Sequence, residues 1–174
     1  GVLSIADDGV DTAQLANNAV TPAKIPNRTR EIFIPAMPRD AGTTITSGGI
    51  PMPESASTWA FGCGAIPLDF AAGAYLIPVV CTPNATSGTG LYATLDCVCI
   101  LAGDGEVVNA HQEVASYDVP ETPLDTTVFL DPLALPDATA GDILGIAFGR
   151  QSGTGTSNAT FYLRGFILRY TADS

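Results

Sequence analysis

From Arg30 onward the chain consists of short β-rich runs separated by clusters of Gly, Pro, Ser and Thr. The runs have the length of strands, and none has the period of a convincing helix. The predicted strands are 31–36, 58–62, 74–81, 91–101, 106–117, 126–130, 142–150 and 159–171. Eight strands without a helix indicate an all-β protein, an antiparallel β-sandwich that is jelly-roll-like. Residues 102–105 and 151–158 have the composition of hairpin connections, which supports antiparallel pairing.

Two of the predicted strands have distinctive faces. In 142–150 small residues alternate with large ones, so one face packs and the other lets a neighbour come close. The large residues are Leu144, Ile146 and Phe148, and the small ones are Gly145, Ala147 and Gly149. The last strand is apolar on both faces, one with Phe161, Leu163 and Ile167, the other with Tyr162, Phe166, Leu168 and Tyr170. Such a strand needs two covers. One is the core, and the other is either a partner subunit or a loop, for which 131–138 is the best internal candidate.

Residues 1–29 have a different pattern, in which aliphatic residues recur every five positions. They are Ile5, Val10, Leu15, Val20 and Ile25. This spacing fits neither the 3.6-residue period of a helix nor the two-residue period of a strand. Such a segment buries too little by itself to offset its ordering entropy, so it either lies on its own copies or in a groove of a neighbouring subunit, or is a flexible low-complexity tail. We favour the assembly interpretation. The domain division is therefore an N-terminal assembly arm, 1–29, and a sandwich domain, 30–174.

The arm sequence "VDTAQLANNAVTPAKI" resembles the "AVTxAKLADNAVTTAKI" decads of tail fibres and other surface proteins of bacteriophages and prophages. The stretches "TREIFIPA" and "FILRYTADS" are similar to the two ends of a group of virion-associated proteins with a strand-rich middle. These resemblances imply a non-enzymatic virion structural protein, a capsid decoration or a tail-fibre-like protein. They further imply a virion-surface or extracellular location, a homo-oligomer, with a trimer as the expected state, and other virion or surface proteins as partners.

We assign the assembly interface of this hypothesis to aliphatic residues of the arm and to one face of the last strand. The interface residues are Val10, Leu15, Val20, Ile25, Tyr162, Phe166, Leu168 and Tyr170. Two alternatives remain open. In the first alternative to a virion protein, the chain is a subunit of an extracellular filament joined by its arm. In the second it is a carbohydrate-binding or receptor-binding tip domain. The aromatic residues available for stacking on sugars are Trp59, Tyr75, Tyr92 and Tyr117, although Trp59 fits a core position better.

The net charge of −11 is unevenly distributed. Residues 40–149 contain thirteen carboxylates and no Lys or Arg, so this body should repel nucleic acid. Four of the seven basic residues lie where the arm meets the sandwich, namely Lys24, Arg28, Arg30 and Arg39. They either dock on an acidic surface of a neighbouring subunit or are solvated charges at a domain edge. No apolar run has the roughly 20 residues of a membrane-spanning helix.

Catalytic and metal-binding patterns are weak. His111 is the single histidine, and with Glu113 it would form at most half of a metal or acid/base site. No nucleophile elbow and no phosphate-binding loop is present. The acidic pairs Asp104 with Glu106 and Asp137 with Asp142 lack the ligand density of a calcium loop. We expect neither an enzyme nor a cofactor or metal.

The cysteines and asparagines leave the cellular compartment open. Cys63, Cys81, Cys97 and Cys99 are either buried free thiols or partners in disulfides that join Cys97 or Cys99 to Cys63 or Cys81. Asn27, Asn84 and Asn158 begin glycosylation sequons. Glycans are candidates both as modifications and as ligands.

Overall fold

A computed structural model describes residues 28–40, 43, 45–54, 57–83, 90–107, 111–122, 125–151 and 153–173. In this part of the chain all regular elements are strands. They are β1 (Arg28–Pro35), β2 (Met37–Pro38), β3 (Ile50–Met52), β4 (Thr58–Ala65), β5 (Phe70–Thr82), β6 (Tyr92–Ala102), β7 (His111–Pro120), β8 (Thr126–Phe129), β9 (Leu133–Leu135), β10 (Ile143–Arg150) and β11 (Phe161–Ala172). Among the described residues no helix has the length and apolarity needed to cross a membrane.

The strands form two antiparallel sheets. Sheet A has the order β1-β11-β5-β8, with β3 also paired to β11 and β9 to β5. Sheet B has the order β2-β4-β10-β6-β7. When the short strands β2, β3 and β9 are set aside and the others are numbered 1 to 8, the sheets read 1-8-3-6 and 2-7-4-5. This is the strand order of a jelly roll. The predicted all-β, jelly-roll-like sandwich is therefore confirmed.

The core lies between the sheets and is built from the inner faces of the long strands. The predicted packed face of β10 is confirmed, because Leu144, Ile146 and Phe148 are all buried. The Phe148 ring meets Phe166 of sheet A edge to face, with 6.1 Å between centroids. Gly62 makes room for this contact, since a Cβ atom there would lie 2.9 Å from the Phe166 ring. Aromatic packing thus joins the centres of the two sheets.

A β-bulge in β11 overturns the predicted faces of the last strand. The register with β5 shifts between Leu163 and Gly165, so one extra residue interrupts the alternation. Large side chains before and after the bulge along the chain therefore point to the same face, toward the core. The buried ones are Phe161, Leu163, Phe166, Leu168 and Tyr170. Assigning Phe166, Leu168 and Tyr170 to a subunit interface was wrong, because strict two-residue counting cannot detect a bulge. Tyr162 and Ile167 are on the outer face, both half-buried.

The loop proposed as a cover for the last strand has another role. Residues Leu133–Leu135 form β9, which pairs with β5 and extends sheet A. Leu135 is buried in the core. The predicted cover is therefore part of the sheet edge. At the other end of the chain, β1 begins at Arg28, so the sandwich includes residues that the predicted division gave to the arm.

Candidate assembly surface

A row of apolar side chains crosses the outer face of sheet B, with one residue from each strand. In order of pairing the row is Met37, Phe61, Ala147, Val98 and Val114. Met37, Phe61 and Val114 are 53%, 41% and 56% exposed. A solvated face of an antiparallel sheet normally carries polar residues. A continuous exposed apolar patch instead marks a surface for interaction.

A groove of about 210 Å³ lies over β10 within this face. Gly145 and Ala147 form its floor, which confirms that small residues of β10 share the outer face. The walls are formed by taller apolar side chains of β4 and β6, those of Phe61, Val98 and Ile100. A Cβ atom added at Gly145 would meet only the backbone oxygen of Ile100, at 4.0 Å. The groove is therefore open above Gly145.

Trp59 covers the same face of β10 at its other end. A Cβ atom at Gly149 would lie 2.6 Å from Cδ2 and 2.7 Å from Cε3 of the Trp59 indole, and 2.5 Å from the backbone oxygen of Thr58. The indole thus rests directly on the backbone of Gly149, which is buried. Trp59 itself is half-buried on the outer face of sheet B and is not a core residue. The two glycines on the outer face of β10 therefore differ, because Gly149 is covered by Trp59 while Gly145 is open.

The candidate sugar-stacking residues do not converge on one site. Trp59 and Tyr92 lie on the outer face of sheet B, on different strands, and Tyr75 is exposed in sheet A. Tyr117 lies on the inner side of β7, where its ring is 6.5 Å from that of Phe148. Burial raises the pKa of the Tyr117 hydroxyl, with smaller contributions from Cys97 and Asp131. This hydroxyl is buried and has no hydrogen-bond partner among the described residues.

The four thiols are free, so the disulfide alternative is wrong. Cys63 is exposed on the outer face of sheet B, whereas Cys97 and Cys99 are buried on the inner face. Cys81 is buried in sheet A. Side chains on opposite faces of a sheet cannot bridge. Burial raises the pKa of Cys97 to about 12 and that of Cys99 to about 12, so both are neutral thiols at pH 7.

The predicted arm residues Val10, Leu15, Val20 and Ile25 lie outside the described residues, as do Lys24, Asn27 and Asn84. Within the basic cluster, Arg30 forms an ion pair with Asp69 of its own chain at 2.6 Å. The Arg30 charge is therefore paired within its own chain, at the surface of the sandwich. Asn158 is exposed in the connection between β10 and β11, and its glycosylation stays a prediction.

The predicted acidic pairs and His111 lie in or beside turns at one end of the sandwich, where they form hydrogen bonds and ion pairs. Glu106 accepts a hydrogen bond from the backbone of Gly103, and Asp142 accepts two from Thr139. His111 lies 3.3 Å from Asp137 and 3.7 Å from Glu106. In the described part of the chain no group of three His, Cys, Asp or Glu side chains could hold a metal ion.

A buried polar cluster at the opposite end escaped the sequence analysis. Arg150 is fully buried, donates to the backbone oxygens of Ala159 and Ser157, and lies 5.7 Å from the centroid of the Phe161 ring. Ser157 donates to Glu121. Burial lowers the pKa of the Arg150 guanidinium, an effect that Glu54 and Glu121 oppose. The cluster holds the connection between β10 and β11 against the sandwich. An Arg at an inward position of a strand was the available signal.

Comparisons with known proteins give a limited result. No protein-family model matches the chain, and no curated protein matches it. Among solved structures, similar ones include that of infectious bursal disease virus, Gx strain, with 12% identity and a TM-score of 0.43 over 86% of this chain and 34% of that chain. An exo-β-1,3-galactanase from Phanerochaete chrysosporium has 13% identity and a TM-score of 0.38, over 84% and 30%. Tailspike protein 4 of bacteriophage CBA120 has 11% identity and a TM-score of 0.36, over 84% and 19%. The chain spans about a third or less of the length of these three proteins.

Proposed function

We propose that the protein is a non-enzymatic structural protein of a virion surface, a capsid decoration or a tail-fibre-like protein. It assembles as a homo-oligomer, a trimer, through its N-terminal arm. The observation that carries the proposal is the apolar outer face of sheet B, where Met37, Phe61 and Val114 are exposed in one row. An exposed apolar patch marks a surface for interaction, for which a second copy of the chain is the proposed partner. The resemblance of the arm to phage decads supports the virion context.

The arm supplies the apolar side chains that such an assembly needs. Each of Val10, Leu15, Val20 and Ile25 would contribute about 1.5–3 kcal/mol if it were fully buried between subunits. The absence of Lys and Arg from residues 40–149 gives this part of the sandwich a net negative charge. Like charges keep such bodies apart except where apolar contacts outweigh the repulsion. Assembly through the arm is consistent with this distribution of charge.

A subunit of an extracellular filament is the second candidate. Strand β7 is at the edge of sheet B and, among the described strands, pairs only with β6. An edge strand of ten residues offers backbone groups to a strand donated by another copy. Here the arm would extend the sheet, and assembly would continue from subunit to subunit without closing.

A carbohydrate-binding or receptor-binding tip is the third candidate. The exposed ring of Tyr75, 41% accessible, favours it, since an open aromatic ring can stack on a sugar. Binding to a glycan array that is lost in either Tyr75→Ala or Trp59→Ala, with the thermal transition of that variant retained, would support this function. Binding that survives both substitutions, or no binding by the wild type, would count against these residues.

The test of the first candidate is the absolute mass in solution, measured by light scattering on the full chain. The wild type is compared with a variant in which Val10, Leu15, Val20 and Ile25 are all replaced by Ser. A matched control replaces Thr12, Ala13, Ala16 and Ala19 by Ser. We expect a trimer for the wild type and the control, and a monomer for the first variant. Large polymers of the wild type would favour the filament, and a monomeric wild type would refute assembly.

A further inference from the structure

The groove over β10 has the chemistry of a site for an uncharged, apolar segment. No charged side chain is among its lining residues, which are Phe61, Gly62, Val98, Ile100, Gly145, Ile146 and Ala147. Its volume of about 210 Å³ corresponds to about seven waters at roughly 30 Å³ each. Water over an apolar floor has few polar partners, so its replacement by an apolar side chain is favourable.

One segment of this chain matches the groove in composition. Residues 12–23 contain no charged side chain, although Asp11 and Lys24 flank them directly. Leu15 and Val20 are the large aliphatic residues of this stretch, and Ala, Thr, Gln, Asn and Pro make up the rest. A segment with one large apolar side chain among small ones can insert that side chain into a narrow groove while its backbone passes above the rim. The five-residue spacing places Leu15 and Val20 about 16 Å apart in an extended chain, so one groove takes one of them.

The position of Arg28 shows where the arm joins the sandwich. The ion pair of Arg30 with Asp69 places the start of β1 at the end of the sandwich where β4 is followed by β5. The groove lies toward this same end, because Gly145 is two positions from Ile143, which pairs there with Ala65. β1 runs from this end into the sandwich, so the arm is attached at the end of the sandwich nearest to the groove.

We propose that the groove over β10 binds residues 12–23 of a second copy, with Leu15 or Val20 inserted above Gly145. The 27 residues before Arg28 can span about 90 Å when extended, which exceeds the length of β10, about 26 Å. The arm is thus long enough to reach the sheet B face of a neighbour. The inference rests on the proposed function, because it names the surface through which the arm assembles the protein.

The first experiment fills the groove without touching the arm. Gly145 is in a strand with a backbone conformation open to other residues, so Gly145→Val should fold and place its side chain in the groove. Ala134→Val, at the exposed position of β9 in sheet A, is the matched control. By light scattering of the full chain, we expect the trimer to dissociate at a concentration at least tenfold higher for Gly145→Val, with the control unchanged. Retention of wild-type assembly by a folded Gly145→Val would overturn the inference while leaving the proposed function intact.

The second experiment uses the native thiol beside the groove. Cys63 pairs across the strands with Gly145, so a segment seated over Gly145 would shield Cys63. We expect its reaction with a thiol reagent to slow as protein concentration rises, and the variant with four Ser residues in the arm to lose this dependence. In Leu15→Cys, oxidation should join position 15 to Cys63 of another chain, giving linked dimers and trimers on a non-reducing gel, which Cys63→Ser abolishes.

The outcomes distinguish a failure of the groove as the docking site from a failure of assembly through the arm. Linkage of Leu15→Cys to Cys63 within one chain would place the arm on its own sheet and overturn the exchange between copies. A trimeric wild type that shows neither shielding nor linkage would refute the groove as the docking site and keep assembly through the arm. A wild type that is monomeric at all concentrations would refute the proposed function and this inference together.

Discussion

The two faces of β10 share one backbone and one pairing register, yet they differ in almost every other respect. The inner face carries Leu144, Ile146, Phe148 and Arg150, all of them buried. The outer face carries Ile143, which is exposed, and three small residues, Gly145, Ala147 and Gly149. Only Gly149 is covered, by Trp59. The chain itself covers the whole inner face of β10, whereas it covers the outer face only at the Gly149 end.

Sheet A shows how the chain covers an apolar outer face when it does so itself. The ring of Phe33 lies over Gly165, where a Cβ atom would be 2.5 Å from its Cζ. The turn at Gly48 lies against the ring of Tyr162, at 3.1 Å from the corresponding Cβ position. Ile77 and Val79 on this face are only 3% and 5% exposed. The chain therefore covers sheet A around Ile77 and Val79, although Phe33 and Phe129 of the same sheet are 57% and 62% exposed.

The largest effect is expected on the inner face, from Phe148→Ala. The ring contacts Phe166 and Tyr117, and its removal leaves a cavity between the sheets. We expect the free energy of unfolding to fall by about 3–5 kcal/mol, measured by urea denaturation. Ala147→Ser, one position away on the outer face, is the control and should change it by at most about 0.5 kcal/mol. Similar losses in both variants would contradict the difference between the faces.

The next effect is expected at the covered end of the outer face, from Gly149→Ala. The added methyl group meets the Trp59 ring and also the backbone oxygen of Thr58, which cannot move aside as a flexible side chain can. We expect a loss of about 1–3 kcal/mol in the free energy of unfolding. Trp59 fluorescence should shift as the indole is displaced. An unchanged emission maximum together with unchanged stability would show that the indole does not rest on Gly149.

The sequence predicted the fold well because the alternation in β10 and the hairpin signals are local features. It failed at β11, where a bulge after Leu163 moves Phe166 onto the same face as Phe161. The bulge depends on pairing with β5, and a single strand cannot specify that. The apolar row of sheet B was also not predicted, since it joins residues such as Met37 and Val114 that only sheet order brings together. The small face of β10 was the one part of the candidate site visible in the sequence.

A smaller contrast is expected between two cysteines, one on each face of sheet B. Cys97→Ser puts a hydroxyl into the apolar core and should lower the free energy of unfolding by about 1–3 kcal/mol. Cys63→Ser, at the exposed position, should change it by at most about 0.5 kcal/mol.

The same pair of variants tests a dependence on pH. The folded state holds the Cys97 proton up to a pKa of about 12, against an ordinary value of 9.0. Stability should therefore fall as the pH rises between these values, and less so in Cys97→Ser. Equal alkaline sensitivity would contradict the burial of this thiol. Urea denaturation between pH 8 and 11 makes both measurements.

The smallest effect on stability is expected from Gly145→Ala, the counterpart of Gly149→Ala on the same strand face. The new methyl group would meet nothing closer than the Ile100 backbone oxygen at 4.0 Å, so no neighbour has to move. Alanine also restricts the unfolded chain more than glycine does, which favours the folded state slightly. We therefore expect the free energy of unfolding to rise or to remain within about 0.5 kcal/mol, by urea denaturation at a concentration where the protein is monomeric. A loss as large as that of Gly149→Ala would mean that the groove is already filled within the single chain, and the difference between the two ends of this face would then disappear.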